Sequence, residues 1–237
     1  MSRIEALRCS VEDFRSVTFM PLSKAPAATP PRAADFQSIP IVGQVIAELS
    51  EPLAELARRI QRVGAVSGGT VVLVTGCRSG VGCTTVAVAL AAVAASERQV
   101  LLVDADFCAP GLARAMQLSA PRGWDEVAEQ NGTMDDALLH PAQRLAVLPL
   151  SPSPRGRADR FASPAAPEWL ARFRQEYSLI VLDGGSVWES GSQWASAVDV
   201  ALVVCDSDRT VADEWARAWD RLEEAGTHVM GIVETFT

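Results

Sequence analysis

Two hydrophobic periods share this chain, and the change between them marks where its elements begin. From Gly43 to Val63, the apolar residues Val45, Leu49, Leu53, Leu56 and Ile60 return at spacings of three and four, the period of a helix with one buried face. After Gly68 and Gly69 the pattern becomes short runs of Val, Ile and Leu: TVVLVTG (70–76), QVLLVDAD (99–106), RLAVLPL (144–150), YSLIVLDGG (177–185), DVALVVCD (199–206) and HVMGIVET (228–235). Helical stretches fall between them: one from Cys83, short ones up to about residue 140, one near 165–176 and one over 210–225. Strands that are apolar at consecutive positions are covered on both faces. The pattern therefore predicts an α/β fold of three layers, a mainly parallel central sheet flanked by helices.

Residues 1–40 break the pattern. PLSKAPAATPPRAADFQSIP (21–40) is rich in Pro and Ala and has little periodicity, which predicts a disordered arm ahead of a single domain over residues 41–237. The longest apolar run, VAVALAAVAA (86–95), is about half of what a bilayer-crossing helix needs, and the N-terminus shows no signal-peptide pattern. A cytoplasmic protein is expected. A formal net charge of −8 without any basic run speaks against direct nucleic-acid binding. Cys9, Cys77, Cys83, Cys108 and Cys205 are odd in number and scattered, with no C-x-x-C pair and no neighbouring histidine, so neither a disulfide framework nor a zinc site is expected. Trp188, Trp194, Trp215 and Trp219 leave two roles open, core packing or a protein interface.

The segment VTGCRSGVGCTT (74–85) joins the first strand to the helix after it. In that context a glycine-rich turn offers its peptide N–H groups, and the helix its N-terminus, to phosphate oxygens. Gly80, Val81 and Gly82 supply the turn, Cys83, Thr84 and Thr85 open the helix, and Thr84 stands where a hydroxyl binds magnesium. Asp104 and Asp106 close the second strand as LLVDAD, and Asp183 closes a later one as LIVLD. Three carboxylates thus fall at the carboxyl edge of parallel strands, where open sheets of this class bind ligands. Any one of them could instead cap the helix that follows; all three beside a glycine loop favour a ligand site.

Together these residues resemble the P-loop ATPases of the ParA/MinD group, and within it the bacterial tyrosine kinases and kinase-like proteins (CpsD/CapB type) of capsular and exopolysaccharide synthesis. GVGCTT is similar to that family's G-x-G-K-[ST]-T loop, LLVDADFCAPGL to its D-x-D motif, and YSLIVLDGGS to the strand that ends D-T-P-P. The likeness covers about residues 48–237. It implies a P-loop NTPase fold, ATP or ADP with Mg2+ as cofactor, and magnesium ligands at Thr84, Asp106 and Asp183. In an active protein Asp104 would be catalytic. Arg78 takes the place of the extra loop lysine that in ParA/MinD proteins reaches across a dimer; it would act as an arginine finger or be an exposed loop residue.

The departures lie where the chemistry is done. The loop lysine is Cys83, and the only lysine of the chain is Lys24, in the arm. A thiol is one weak donor where an ammonium is three charged ones. A charge-assisted hydrogen bond is worth roughly 1.5–3 kcal/mol, so nucleotide binding should weaken by about one to two orders of magnitude. Transition-state charge suffers more, because positioning and electrostatics are most of what a phosphoryl-transfer enzyme supplies. The family's arginines after D-x-D are Cys108 and Ala109, its T-P-P is Gly184, Gly185 and Ser186, and its adenine-side asparagine is Thr235. The interface motif S-E-x-x-R-x-L-R reads SEPLAELARRIQ, with Ala54 and Ala57 for the arginines and Arg58 and Arg59 behind them. The single tyrosine, Tyr177, opens a strand and is expected to be packed; no tyrosine-rich tail follows the last strand, so autokinase activity is not expected. Cys83 at a helix N-terminus would be acidified, but the nearby aspartates oppose this, and the expectation is a small residue filling vacated space.

Two functions are compatible with this pattern. One is a catalytically impaired kinase-like scaffold that docks on an inner-membrane polysaccharide co-polymerase or a sibling kinase. The other is an active ParA/MinD-type ATPase that positions cargo through ATP-dependent homodimerisation.

Overall fold

The computed structural model describes residues 9–10, 17–18, 40–64, 68–120, 122–130, 132–152, 166–208, 210 and 212–235. Most of the predicted arm, with Lys24, lies outside the described residues, as does the proline loop beyond residue 152. Among the described residues, nine strands form one sheet: β1 (Cys9–Ser10), β2 (Val17–Thr18), β3 (Thr70–Gly76), β4 (Val100–Asp104), β5 (Leu139–Ala142), β6 (Leu145–Leu148), β7 (Leu179–Ser186), β8 (Val200–Asp206) and β9 (His228–Thr235). Six of them run parallel in the order β9-β8-β3-β7-β4-β6. β5 pairs antiparallel with β6 at one edge, and at the other β1 pairs antiparallel and β2 parallel with β9. The six predicted strands are the continuous parallel run, whereas β1 and β2 fall within the stretch predicted as an arm. β5, with sequence LHPA, is half-exposed and carries no apolar run, which is why no hydrophobic pattern announces it.

The helices are α1 (Pro40–Gly64), α2 (Cys83–Ala94), α3 (Leu112–Ala115), α4 (Trp124–Glu129), α5 (Ala166–Glu176) and α6 (Ala212–Glu224). α1 packs on α2, with Leu53, Leu56 and Ile60 of the predicted stripe buried, Leu49 partly buried and Ala57 buried beside them. α2 is apolar on nearly every side, with Val86 through Ala91 buried, because α1 covers one face while the sheet covers the other. β3, β4, β6 and β8 are buried at every position.

An aromatic cluster supports the loop after β4. Phe107, Trp124, Trp169 and Trp194 meet with ring centroids 5.4–6.3 Å apart. The Trp124 indole N–H donates to the Asp104 carbonyl at 2.8 Å, and that of Trp194 to the Ala105 carbonyl at 3.1 Å. Buried indoles require an acceptor; here the acceptors are the backbone that carries the carboxylates. Tyr177 is buried edge-on against Phe173, as expected for a packed residue. Trp194 is buried and Trp219 packs partly buried against the core, whereas Trp188 is 50% and Trp215 38% exposed.

Candidate functional site

β3 delivers the chain into the glycine loop at the middle of the sheet's carboxyl edge. Gly80 (φ 78°) and Gly82 (φ 94°) both take the left-handed backbone that lets the loop curl back onto α2. No side chain caps the start of α2, whose first helical hydrogen bond runs from Val86 N–H to Gly82 O at 3.0 Å. The amides of Cys83, Thr84 and Thr85 thus lie at a helix N-terminus that no side chain caps by hydrogen bond, an arrangement suited to an anion. The Thr235 hydroxyl donates to the Val81 carbonyl at 2.6 Å and lies 3.2 Å from the Cys205 carbonyl, fastening the loop to the ends of β8 and β9.

Asp104 and Asp183 are direct partners across β4 and β7, and both are buried. Their roles differ. Asp104 accepts the Leu112 amide at 3.0 Å and the Asp106 amide at 3.3 Å, so it shapes the loop it begins. Burial, together with the charge of Asp183, raises its pKa well above the carboxylate range. Asp106 accepts the Cys108 and Ala109 amides and the Ser190 hydroxyl, at 3.0–3.1 Å, all on one oxygen. Neither Asp183 oxygen makes a hydrogen bond of good geometry, although the Thr84 hydroxyl and the Gly185 amide act on it from nearby. Burial pushes its pKa up to about 7, while the Thr84 hydroxyl pulls the other way and the Asp106 charge adds to the rise. A fully buried carboxylate without a well-formed hydrogen bond favours a proton or a cation.

The Cys83 thiol is buried and donates to the Gly185 carbonyl at 3.6 Å. Burial, followed by the charge of Asp183, drives its pKa well above the ordinary thiol value, so Cys83 remains a neutral thiol. This agrees with the expectation of a small residue filling vacated space. The acceptor is there because β7 bulges: Val74 pairs with Asp183 but Gly76 with Ser186, leaving one extra residue in the glycine pair. Gly185 adopts φ 60°, and its carbonyl also accepts the Thr75 hydroxyl at 2.9 Å.

The structure therefore brings Gly80, Val81, Gly82, Cys83, Thr84, Thr85, Asp104, Asp106 and Asp183 to one edge. Arg78 sits on the outer side of the loop, with a guanidinium nitrogen 3.7 Å from Glu214 of α6. Among the described residues no group of three His, Cys, Asp or Glu side chains converges as a metal cage. Magnesium characteristically takes one or two carboxylates, with phosphate and water completing its shell. The unpartnered Asp183 oxygens beside Thr84 fit that donor set, and the loop amides fit phosphate. Sequence reasoning did not single out Ser190, Thr75 or the Gly185 carbonyl, and it saw Thr235 only as a missing asparagine. Their partners lie 30 to 154 residues away, and no local spacing encodes such contacts.

A profile of the family described as "Cellulose biosynthesis protein BcsQ" matches residues 70–219, which is more than half of the chain. The chain belongs to the BcsQ family. No curated protein matches it. Among solved structures, the kinase domain of the Escherichia coli tyrosine kinase ETK superposes with a TM-score of 0.75 at 18% identity, over 89% of this chain and 83% of that one. The Pyrococcus furiosus cell division ATPase MinD gives 0.60 at 20% identity, over 69% and 70%. Cobyrinic acid a,c-diamide synthase from Mycobacterium smegmatis, solved with a bound ATP analogue and magnesium, gives 0.57 at 18% identity, over 70% and 74%. At such identities the likeness is one of fold. This BcsQ-family chain thus has the P-loop NTPase fold of the ParA/MinD group and of bacterial tyrosine kinase domains, with Cys83 following its glycine loop. Among the described residues of this BcsQ relative, no helix is long and apolar enough to cross a membrane.

Proposed function

We propose that this protein is a cytoplasmic, catalytically impaired P-loop protein that serves polysaccharide synthesis and export as a regulator or scaffold, docking on an inner-membrane co-polymerase or a sibling kinase. The observation that carries this is the state of position 83. Its thiol is buried, neutral and turned onto a backbone carbonyl, so position 83 offers a phosphate no ammonium. Arg78, the candidate substitute, meets Glu214 of its own chain. The family match supports the pathway, and the retained fold supports a role carried by shape and contacts.

Weak nucleotide binding belongs to the same proposal. The loop amides, Thr84 and the unpartnered Asp183 suit Mg-ATP or Mg-ADP, and this favours a scaffold that senses nucleotide over one that has lost it. A second reading, an active dimerising ATPase, keeps the same residues and gives Arg78 the lysine's task.

The two separate in one titration with a fluorescent ATP analogue and magnesium, run alongside phosphate release. Saturable binding with negligible turnover is expected. Turnover that disappears in Arg78→Ala would overturn the impaired reading. In Cys83→Lys the affinity should rise by about 10- to 100-fold; no gain would mean that the pocket has changed beyond one side chain.

A further inference from the structure

We propose that Cys77 and Cys205 form a reversible disulfide beneath the phosphate loop. β3 and β8 pair in register through Gly76 and Val204, and the Cys77 amide donates to the Val204 carbonyl at 2.9 Å. Continued by one residue, that register sets Cys77 beside Cys205, and the two thiols interact. Residues paired across neighbouring strands project to the same side, and strands about 4.8 Å apart fall within the Cα separation of about 4.4–6.8 Å that a disulfide spans. Both cysteines are buried and reduced.

The chemistry of the pair is asymmetric. The Cys205 thiol is the chief cause of a lowered pKa at Cys77, with the Thr210 hydroxyl, 3.4 Å from its sulfur, acting the same way; the Cys205 pKa is raised by the same contact. Cys77 is thus the nucleophile and Cys205 the resolving thiol. With hydrogen peroxide as oxidant, the Cys77 thiolate attacks one peroxide oxygen and the O–O bond breaks. This leaves a sulfenic acid, and the departing hydroxide is protonated to water. The Cys205 sulfur then attacks the Cys77 sulfur, forming S–S and expelling hydroxide, which takes the Cys205 proton as a second water. Two thiols have lost two electrons, and one peroxide has gained them. Ser79 and Gly80, on the outer side of the loop, are exposed, and local opening of such a loop admits a molecule of that size.

The bridge would act on the loop because Cys77 is its first residue. The Cys77 carbonyl accepts the Trp188 indole N–H at 2.9 Å, and Thr235 joins the Cys205 carbonyl to Val81. Cys83 is unsuited to the reaction, being neutral and held on Gly185.

The test uses the full chain with Cys108→Ser, which removes the exposed thiol. After peroxide treatment, remaining thiols are alkylated under denaturing conditions and the peptides are mapped by mass spectrometry. The expected product is a 77–205 linked peptide, lighter by two hydrogens and restored by dithiothreitol. Full alkylation of both residues, or a bridge to a different cysteine, would overturn the proposal. In Cys205→Ser, Cys77 should be trapped by dimedone as the sulfenic acid; absence of the adduct at Cys77 would remove it as the nucleophile. The effect on the loop rests on the proposed nucleotide binding and is read separately. Oxidised protein should bind the fluorescent ATP analogue more weakly by about tenfold or more, with recovery on reduction, and unchanged affinity would show that the bridge does not act on the loop. Mapping fails or succeeds independently of that reading.

Discussion

Asp183 carries an unresolved charge at the centre of the sheet edge. Its pKa rises from about 3.8 to about 7 on folding, chiefly through burial, so the folded chain holds a proton that the unfolded chain releases. Stability from this group is therefore greatest below about pH 4, declines as pH rises toward 7, and is lacking above it. Asp183→Asn removes the charge and keeps the shape. Its melting temperature should exceed that of the wild type at pH 8, by an amount equivalent to roughly 2–4 kcal/mol, and the gap should close near pH 4. A gap independent of pH would mean that Asp183 does not titrate in the folded protein. Magnesium with ADP should raise the wild-type melting temperature at pH 8 more than that of Asp183→Asn. At this scale the sequence is informative about identity and spacing: the missing lysine, Thr84 and the three aspartates are all visible in short motifs. It is uninformative about division of labour. That Asp104 is spent on two backbone amides while Asp183 is left without a partner depends on how the loop after β4 folds over Trp124 and Trp194.

The bulge at the end of β7 sets the geometry of the loop beside it. A methyl group at Gly185 would stand 2.1 Å from an Asp106 carboxylate oxygen, and φ 60° is strained for any L side chain. Gly185→Ala should therefore destabilise the protein by roughly 2–4 kcal/mol in urea unfolding and displace the carbonyl that holds Cys83 and Thr75. Gly80→Ala is the matched control. Its methyl group meets nothing within 4 Å, so only the φ penalty of about 1 kcal/mol remains. Equal costs for the two would mean that the contact with Asp106 is unimportant. The parallel strands and α1, α2, α5 and α6 were legible because each buries a continuous run or a stripe of apolar residues. The bulge was not, since DGGS reads as a plain departure from D-T-P-P until Gly76 is seen paired with Ser186. The interface motif in α1 has a similar history. Glu55 is held by Arg59, Arg58 and Arg62, with its pKa lowered to about 2, so Arg58 and Arg59 are engaged within α1, and Arg58 also reaches Glu97 beyond α2.

The molecule separates its stability from its site along the strand direction. At the amino ends of the strands, the Arg174 guanidinium of α5 grips Asp199 with two bonds of 2.6 and 3.1 Å and donates to the Gly69 carbonyl at 2.9 Å. Asp199 also accepts the Val71 amide at 2.7 Å, so one carboxylate fastens α5, β3 and the entry to β8. The pair is about three-quarters covered. Removing one partner leaves the other charge poorly compensated and costs more than an exposed pair would. At the carboxyl ends the arrangement is the reverse, with buried carboxylates crowded around a glycine loop, an orphaned Asp183 and two half-exposed tryptophans. Arg174→Ala should thus lower stability by roughly 2–3 kcal/mol while leaving the affinity for the fluorescent ATP analogue unchanged at a temperature where the variant is folded. Cys83→Lys should do the opposite, raising affinity while adding cation–carboxylate attraction that also stabilises the empty protein at pH 8. If Arg174→Ala weakened nucleotide binding in proportion to its loss of stability, the two edges would be coupled through the sheet, and a fold that keeps its scaffold while losing its chemistry would no longer be explained by this division.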